Sequence, residues 1–354
     1  VSKGGEDFSI NFGVTGTQKE GIVPNTSRKQ YDINLNAELK ISEKFKAYST
    51  VLYQEKSTVG YNDKNLILPA VASLRQWFQR QLNMKDLRNY RMNGNIVTWN
   101  RTSPTNGKSI GWNSPFFDQY EQPNKEDNKA FNGKLGAIYN ITSDLSASAE
   151  VRKSYLGSAY WDKTNAWGGV AVPAYEESLS MTNKDEVAGF LNYKKKINKF
   201  DVSGMAGFEK QFYDRTYMIS NTVGGMSVAN FYSISTSVGT PITTNRKFKA
   251  MSDALYATAS VGYDDFLFLD GSIRKDWSST ADSQDNGVLT LGASGSFVFS
   301  NFIPKNNIFT FGKLRAGFAQ APQFPNVYQT SEIYNTGLAY GTFPTSSTQS
   351  IPNN

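Results

Sequence analysis

The chain lacks several residue types and patterns on which common protein classes depend. None of its 354 residues is a cysteine or a histidine. The missing cysteines exclude disulfides, thiol catalysis and zinc–thiolate sites, and the missing histidines exclude the commonest general base and metal ligand. The longest nearly apolar run, residues 66–74, is far shorter than the roughly 20 residues of a membrane-spanning helix. Most hydrolase templates and helical membrane proteins are therefore excluded.

The chain also has no concentrated charge. Its net charge of +6 is modest and spread along the sequence, although the pI is 9.1. A nucleic-acid-binding surface needs a clustered basic face, so we expect no nucleic-acid partner. Hydrophobic residues make up 39% of the chain, enough for a large apolar surface, and aromatic residues are abundant, with 19 Tyr, 23 Phe and 6 Trp. This composition is not that of a disordered protein.

Apolar and polar residues alternate along much of the chain. Residues 31–41 (YDINLNAELKI) are apolar at each odd position and polar at each even one. A period of two places successive side chains on opposite faces of a strand. The same rhythm and its turn residues predict eleven strands, near 8–18, 30–41, 45–54, 129–141, 145–155, 186–197, 200–213, 251–263, 266–276, 287–299 and 310–320. Strands of about ten residues with aromatic ends match those of a transmembrane barrel.

The connections between these strands alternate in length. Tight links are predicted at 42–44, 142–144, 198–199 and 264–265, and long ones at 55–128, 156–185 and 214–250. Short turns on one rim and long loops on the other are typical of outer-membrane barrels. The connection at 300–309 is longer than the other tight links, and we interpret it as an elaborated turn on the short-turn rim. A β-sandwich is the alternative for the strands alone, but three long loops on one side disfavour it.

The longest loop, 55–128, carries a second pattern. From residue 66 onward, apolar residues recur at three- and four-residue spacing, which predicts an amphipathic helix near 66–87 within a structured extracellular loop. Its apolar stripe either packs on a neighbouring loop or makes Trp77 and Phe78 part of a ligand or partner surface.

Several stretches resemble one protein family. They are 18–25 (QKEGIVPN), 74–90 (LRQWFQRQLNMKDLRNY), 98–105 (TWNRTSPT), 112–116 (WNSPF), 267–279 (LFLDGSIRKDWSS), 295–300 (GSFVFS) and 311–316 (FGKLRA). In residue content and order they are similar to the SusC/RagA family of Bacteroidetes outer-membrane transporters, and the resemblance covers nearly the whole chain.

The resemblance implies a fold and a function. SusC-like proteins are TonB-dependent transporters with a 22-stranded barrel, an N-terminal plug and a SusD-like lipoprotein lid, and they import oligosaccharides or peptides. We therefore expect residues 1–354 to form part of one all-β transmembrane antiparallel barrel in the bacterial outer membrane, without the plug or the C-terminal strands. TonB would act through the missing N-terminal region. The expected partners are outer-membrane lipid, a SusD-like lipoprotein, TonB and the substrate.

Each side of such a barrel wall has its own residues. Aliphatic positions such as Ile33, Leu35 and Leu39 are expected to face lipid, with Tyr31 and Tyr53 in the aromatic rows at the membrane boundary. Charged residues within strands are expected to face the lumen; they are Lys134, Glu150, Arg152, Glu209, Asp253 and Arg274.

No catalytic, cofactor or metal site stands out. The paired carboxylates Glu176–Glu177 and Asp264–Asp265 are adjacent residues, which point to different sides, whereas a glycosidase pair needs a defined separation across a cleft. We expect no enzyme activity. Loop aromatics are the better candidates, because indole rings stack on sugars or fill partner pockets. They are Trp99, Trp112, Trp161 and Trp167, with packing within the loops as the alternative.

Three functions remain open at this point. The leading one is a segment of a nutrient transporter. The second is a SusC-like barrel acting as a scaffold or interaction subunit of a larger outer-membrane complex. The third is a soluble glycan- or nucleic-acid-binding β-domain, which the spread of charge disfavours.

Overall fold

The computed structural model describes residues 1–60, 79–165, 172–281, 286–304, 310–330, 334–336, 341–343 and 345–348. Its strands are β1 (Ser2–Gly4), β2 (Phe8–Glu20), β3 (Ser27–Lys40), β4 (Phe45–Val59), β5 (Arg91–Met92), β6 (Asn95–Ile96), β7 (Arg101–Ser103), β8 (Asn106–Ser109), β9 (Lys125–Asn140), β10 (Leu145–Thr164), β11 (Ala174–Ile197), β12 (Phe200–Asn221), β13 (Ile242–Tyr263), β14 (Leu267–Ser278), β15 (Gly287–Phe297), β16 (Leu314–Ala319), β17 (Tyr334–Thr336) and β18 (Ser346–Thr348).

Helices are few and short in the part of the chain that the structure describes. They are α1 (Met84–Leu87), α2 (Pro115–Glu121) and the 3-10 helices Ile234–Thr236 and Phe299–Phe302. None of these helices is long or apolar enough to cross a membrane.

One antiparallel sheet dominates the structure. Its twelve strands, β1 to β4 and β9 to β16, follow each other in space in the order of the chain. β1 and β16 form the two edges, so the described strands make an open sheet. All eleven predicted strands are confirmed, and β1 is one further strand at the edge.

Short and long connections alternate as predicted. One rim carries the connections 41–44, 141–144, 198–199 and 264–266, and the other carries 21–26, 60–124, 165–173, 222–241 and 279–286. Residues with positive φ build two of the tight turns, with Asn198 at 53° and Asp264 and Asp265 at 49° and 59°. The connection 298–313 lies on the short-turn rim, as expected, because the backbone N–H of Val298 donates to the carbonyl of Phe266.

Two strand pairs are longer than the sequence pattern predicted. The loops predicted at 156–185 and 214–250 shrink to 165–173 and 222–241. The added strand segments, such as 176–184 (EESLSMTNK), carry polar residues on both faces. Alternation marks a strand only where one face meets an apolar environment, so it gives no signal where both faces meet water. The predicted loop boundaries were therefore wrong, and Trp161 lies in β10 rather than in a loop.

The helix predicted near 66–87 falls mainly on residues 61–78, which lie outside the described residues. The remainder holds a single helical turn, α1, preceded by non-helical residues 79–83. The side chain of Asn83 caps this turn by accepting from the backbone N–H of Lys85 at 2.9 Å. The small hairpins β5–β6 and β7–β8 follow. The helix over 66–78 stays a prediction.

The register of the sheet sorts the side chains into two faces. On the outer face, aliphatic side chains lie opposite one another from strand to strand, as in Leu135, Val151 and Val187. Ile33 and Leu39 are exposed on this face and Leu35 is half-buried there. These three residues therefore share one face of the sheet as predicted, and their contact with lipid stays a prediction.

The opposite, inner face carries the charges. Lys134, Glu150, Arg152, Glu209 and Arg274 all lie on it, as predicted. Asp253 does not, and this prediction was wrong. It lies on the outer face opposite Lys210, with which it forms an ion pair at 3.2 Å. That position is next to the aromatic row where the strand leaves the apolar band, so the charge meets a partner and the boundary layer.

Two rows of aromatic residues border the apolar outer band. The row at the short-turn rim contains Phe45, Tyr139, Tyr193, Phe200, Tyr263 and Phe297, and the other row contains Tyr31, Tyr53, Phe131, Tyr155, Phe212 and Trp277. Between Leu145 and Tyr155 of β10, roughly ten residues at about 3.3 Å each, tilted by about 40°, cover about 25 Å. This is the height of the apolar band of outer-membrane barrels.

Candidate functional site

The inner face of the sheet carries a network of paired charges, here called the luminal network and made of Tyr48, Glu150, Arg152 and Glu186. Arg152 bridges both carboxylates, with Nε at 2.7 Å from Glu150 and a second nitrogen hydrogen-bonded to Glu186. The hydroxyl of Tyr48 donates to the other oxygen of Glu150. Glu186 is only 8% exposed, and its charge is compensated by Arg152 and by Lys184, whose Nζ lies 3.6 Å from the other carboxylate oxygen.

Further polar pairs continue this wall on both sides. Arg274 pairs with Asp276 at 2.8 Å and lies over the ring of Tyr256, 4.9 Å from its centroid. On the other side, Gln54 donates to Asp32 at 2.7 Å. The inner face therefore offers a polar wall whose charges compensate each other. Charged and polar side chains of this kind are stable next to an aqueous lumen, whereas placing them against lipid would be unfavourable.

The loop 60–124 has a small core of its own above the sheet. Phe116 and Phe117 of α2 are buried together with Leu87 and Ile96. Ser114 caps α2 by accepting from the N–H of Phe116, and its hydroxyl donates to the carbonyl of Leu87 at 2.8 Å. The sequence carries a signal for this helix, because Ser before Pro is a typical helix start, although the helix was not predicted.

The same core holds a buried carboxyl group. Asp118 accepts from the side-chain amides of Asn113 at 3.0 Å and Gln122 at 2.7 Å. These neutral donors do not compensate its burial, which raises the pKa of Asp118 to about 7. Sequence reasoning missed this group, since nothing in the pattern of loop 60–124 shows which carboxyl becomes buried.

Hydrogen bonds tie the loop 60–124 to neighbouring connections. Asn25, in the connection 21–26, donates to the carbonyl of Gln119 at 2.9 Å. The backbone N–H of Asn165 donates to Gln122 at 3.0 Å, and the Asn165 side chain donates to Glu121 at 3.3 Å. The loop is thus fixed to the connections on both sides of it.

Glu121 is the centre of a second set of contacts at the end of α2. It accepts from the hydroxyl of Tyr90 at 3.2 Å and from Nε of Arg91 at 3.1 Å. The hydrogen bond with Glu121 raises the pKa of Arg91. Near Glu121, in the loop 222–241, burial raises the pKa of Tyr232 to about 12. Lys163 lies over the ring of Tyr232, 5.0 Å from its centroid.

Three of the six predicted site aromatics lie within the described residues. Trp77, Phe78 and Trp167 lie outside the described residues. Trp99 and Trp112 lie half-buried in the loop 60–124. Trp161 lies in β10, where Lys125 sits over its ring at 5.2 Å. The three described candidates, Trp99, Trp112 and Trp161, therefore lie in two separate elements, the loop 60–124 and strand β10.

The loop 222–241 forms a second structured lobe. Met226 is buried and bridges to Ser237. The Ser237 hydroxyl accepts from the N–H of Val223 at 2.8 Å, which fixes the base of the lobe. Above this base, Val228, Phe231 and Val238 are exposed.

Comparison with known proteins gives matches at the level of structure. No protein-family model and no curated protein matches the chain. The RagAB peptide transporter matches 98% of this chain with a TM-score of 0.72 at 16% identity, and the RagAB peptide importer in its open-open state matches 99% with a TM-score of 0.73, also at 16% identity. The ferric-catecholate import receptor Fiu from E. coli K12, in its open form, matches 90% with a TM-score of 0.54 at 10% identity.

These matches confirm the predicted fold. This chain spans 39% of the length of the RagAB chains and 51% of Fiu. The proteins compared are a peptide transporter and import receptors. The chain thus has the fold of one part of an outer-membrane β-barrel of TonB-dependent transporters, and the resemblance to the SusC/RagA family holds at the level of that fold.

Proposed function

We propose that this chain is the middle part of the barrel of a SusC-like TonB-dependent transporter that imports an oligomeric nutrient. The observation that supports it is the division of the sheet into an apolar outer face and a polar inner face with the luminal network at its centre. A wall of this kind separates lipid from an aqueous passage. TonB is the proposed source of energy.

Peptides and oligosaccharides are the two proposed cargo classes. The structural match to the RagAB peptide transporter supports peptides, at an identity of 16%. The charges of the luminal network are paired with one another, so the wall does not select a strongly charged cargo. A direct comparison of the two classes decides between them.

We also propose that a SusD-like lipoprotein docks on the apolar residues exposed around the loops 165–173 and 222–241. These are Val172, Val228, Phe231 and Val238. Solvent-exposed apolar residues on a rigid base are typical of a protein–protein contact, and the buried Met226 provides such a base.

The loop aromatics stay a proposal for contact with substrate or partner. Trp99 and Trp112 are half-buried, so part of each ring is open to a ligand. Trp161 is packed under Lys125, and Trp77, Phe78 and Trp167 are proposed from the sequence alone.

The test is uptake by cells that carry the full-length protein. Fluorescent peptides and fluorescent oligosaccharides of matched size are compared, with and without TonB. We expect TonB-dependent uptake of one class, and loss of lipoprotein copurification in the variant Phe231→Glu but not in Tyr120→Glu, an exposed residue of loop 60–124. Failure of both classes to enter, with the lipoprotein still bound, would contradict transport and favour the scaffold role.

A further inference from the structure

The turn between β15 and β16, residues 298–313, is longer than the other connections on its rim and is built on an ordered base. Its start, the 3-10 helix Phe299–Phe302, follows the buried residue Val298. The N–H of Ser300 donates to the carbonyl of Gly312 at 3.3 Å, which closes the turn across its base. The described parts of the turn, 298–304 and 310–313, are therefore held in place where they leave the sheet.

Ring contacts show to which side of the rim the start of this turn folds. Phe302 stacks on Phe297 with ring centroids 5.7 Å apart and meets Phe266 edge-on at 4.9 Å. Phe297 lies on the outer face, opposite Leu267 and Leu314. Because Phe302 rests on an outer-face ring, the turn folds toward the outside of the barrel wall and not beneath the lumen.

The contacts join Phe302 to the aromatic row at the short-turn rim. Phe200 and Tyr263 are 4.8 Å apart, Tyr263 and Phe266 are 5.4 Å apart, and Phe266 meets Phe297 at 6.0 Å. Phe302 extends this line of rings beyond the end of β15. The row borders the lipid-facing band, so the extension continues a surface that already meets the membrane.

The turn also presents apolar side chains that the described protein does not cover. Phe302 is 62% exposed and Phe311 is 66% exposed, with Ile303 exposed between them in sequence. A phenylalanine ring left in water at this position would forgo the favourable free energy of burying its apolar surface. Aromatic rings at the level of lipid headgroups avoid this cost, since they lie at the boundary of the acyl chains.

We propose that the described start of this turn, residues 299–303, is a membrane anchor, in which Phe302 and Ile303 contact the phospholipids of the inner leaflet of the outer membrane. The anchor rests on the outer-membrane placement of the barrel but not on the cargo or on TonB. Phe266 of the connection 264–266 belongs to the same line of rings, whereas the connection 198–199 offers only the polar residues Asn198 and Lys199.

The test is photo-crosslinking in the full-length protein reconstituted in phosphatidylethanolamine–phosphatidylglycerol vesicles. The photoreactive analogue p-benzoylphenylalanine replaces Phe302, and in matched variants it replaces Phe268 on the inner face or Ser143 in the tight turn 141–144. We expect phospholipid adducts by mass spectrometry that are several-fold more abundant at position 302 than at positions 268 and 143. The analogue keeps the phenyl ring of the native residue at positions 302 and 268. The folding of each variant is checked by its heat-modifiable gel migration.

A yield of lipid adducts at position 302 no higher than at position 143 would overturn the anchor. Adducts of position 302 with inner-face residues, in place of lipid, would overturn it too, since they would place the turn beneath the lumen. Either result would leave the proposed import function standing, because uptake is measured independently of this turn.

Discussion

The two halves of the long strands differ in what surrounds them, and that difference explains their sequences. Between the two aromatic rows, polar and apolar residues largely alternate along β9 to β13, and the outer face is mostly apolar. Beyond the aromatic row on the long-loop side, strands such as β10 and β12 continue to Thr164 and Asn221, and there polar residues occur on both faces. Backbone pairing is equally complete in both halves. The environment of the faces, and not the pairing, therefore sets the alternation.

The largest effect should come from a charge placed within the apolar band. Leu135 lies midway between Phe131 and Tyr139 on the outer face and is 58% exposed. We expect Leu135→Arg to lower the free energy of unfolding by about 2 to 4 kcal/mol, because the arginine meets hydrocarbon. Denaturant titration of the full-length protein in vesicles measures it.

The matched control lies beyond the aromatic row on the long-loop side of the sheet. Leu179 is on the same face of β11, two strands along the sheet from β9, and is 43% exposed. Leu179→Arg should change the free energy of unfolding by less than about 1 kcal/mol, since the side chain meets water or headgroups there. Equal losses at both positions would mean that the two halves share one environment.

A smaller but still clear effect is expected from the luminal network. Arg152→Met leaves Glu150 and the buried Glu186 without their shared partner. We expect a loss of about 2 kcal/mol in the free energy of unfolding, the scale of lost hydrogen bonds to charged groups. The triple variant Arg152→Met, Glu150→Gln, Glu186→Gln should recover part of that loss. No loss in the single variant would contradict the role of Arg152 and leave the charge of Glu186 to Lys184, 3.6 Å away, and to water.

The stability of the loop 60–124 should respond to pH through Asp118. Burial raises the pKa of Asp118 to about 7, above the value of about 4 for an unfolded chain. Between these two values the folded loop holds a proton that the unfolded chain releases, so the stability of the loop falls as the pH rises toward 7 and stays low above it. Hydrogen exchange of residues 113–122, corrected for the intrinsic rate, should show protection several-fold weaker at pH 8 than at pH 5.5.

Asp118→Asn supplies the control for this pH dependence. The amide keeps an oxygen that accepts from Asn113 and Gln122 but does not titrate over this range. Its protection should be nearly the same at both pH values. A wild-type loop without pH dependence would contradict the burial of a titrating carboxyl group.

The smallest effect is expected at the exposed turns. Lys199 pairs with Asp264 at 2.7 Å, but both side chains are largely exposed. Water screens such a pair, so Lys199→Met should leave the unfolding midpoint unchanged. The neighbouring Asn198 has a positive φ of 53°, and Asn198→Ile should cost about 1 kcal/mol, because β-branched residues disfavour that conformation. A loss at Lys199 as large as that at Asn198 would contradict the screening.

The sequence was sufficient for the features that hydrocarbon imposes. It predicted eleven strands, the tight links such as 198–199 and the outer position of Ile33, since each depends on a period of two and on local turn residues. Prediction from the sequence was less successful for residues outside the apolar band. The strand extensions near Trp161 carry polar residues on both faces and so show no alternation. The burial of Asp118 depends on contacts between distant segments, which a local pattern does not contain. The outer placement of Asp253 does follow from the period of two, since Asp253 shares the parity of Leu255, so that prediction misapplied the pattern.

The contact of the outer face with hydrocarbon is tested most directly by a spin label moved along β9, at each position from 131 to 139, in the full-length protein in vesicles. Collision with oxygen, which concentrates in lipid, is compared with collision with a water-soluble nickel complex. We predict high oxygen contact at Leu135 and the other odd positions, low oxygen contact at the even ones, and a period of two residues. Oxygen contact without this period, or with its maxima at Lys134 and the other even positions, would contradict a lipid-facing outer wall.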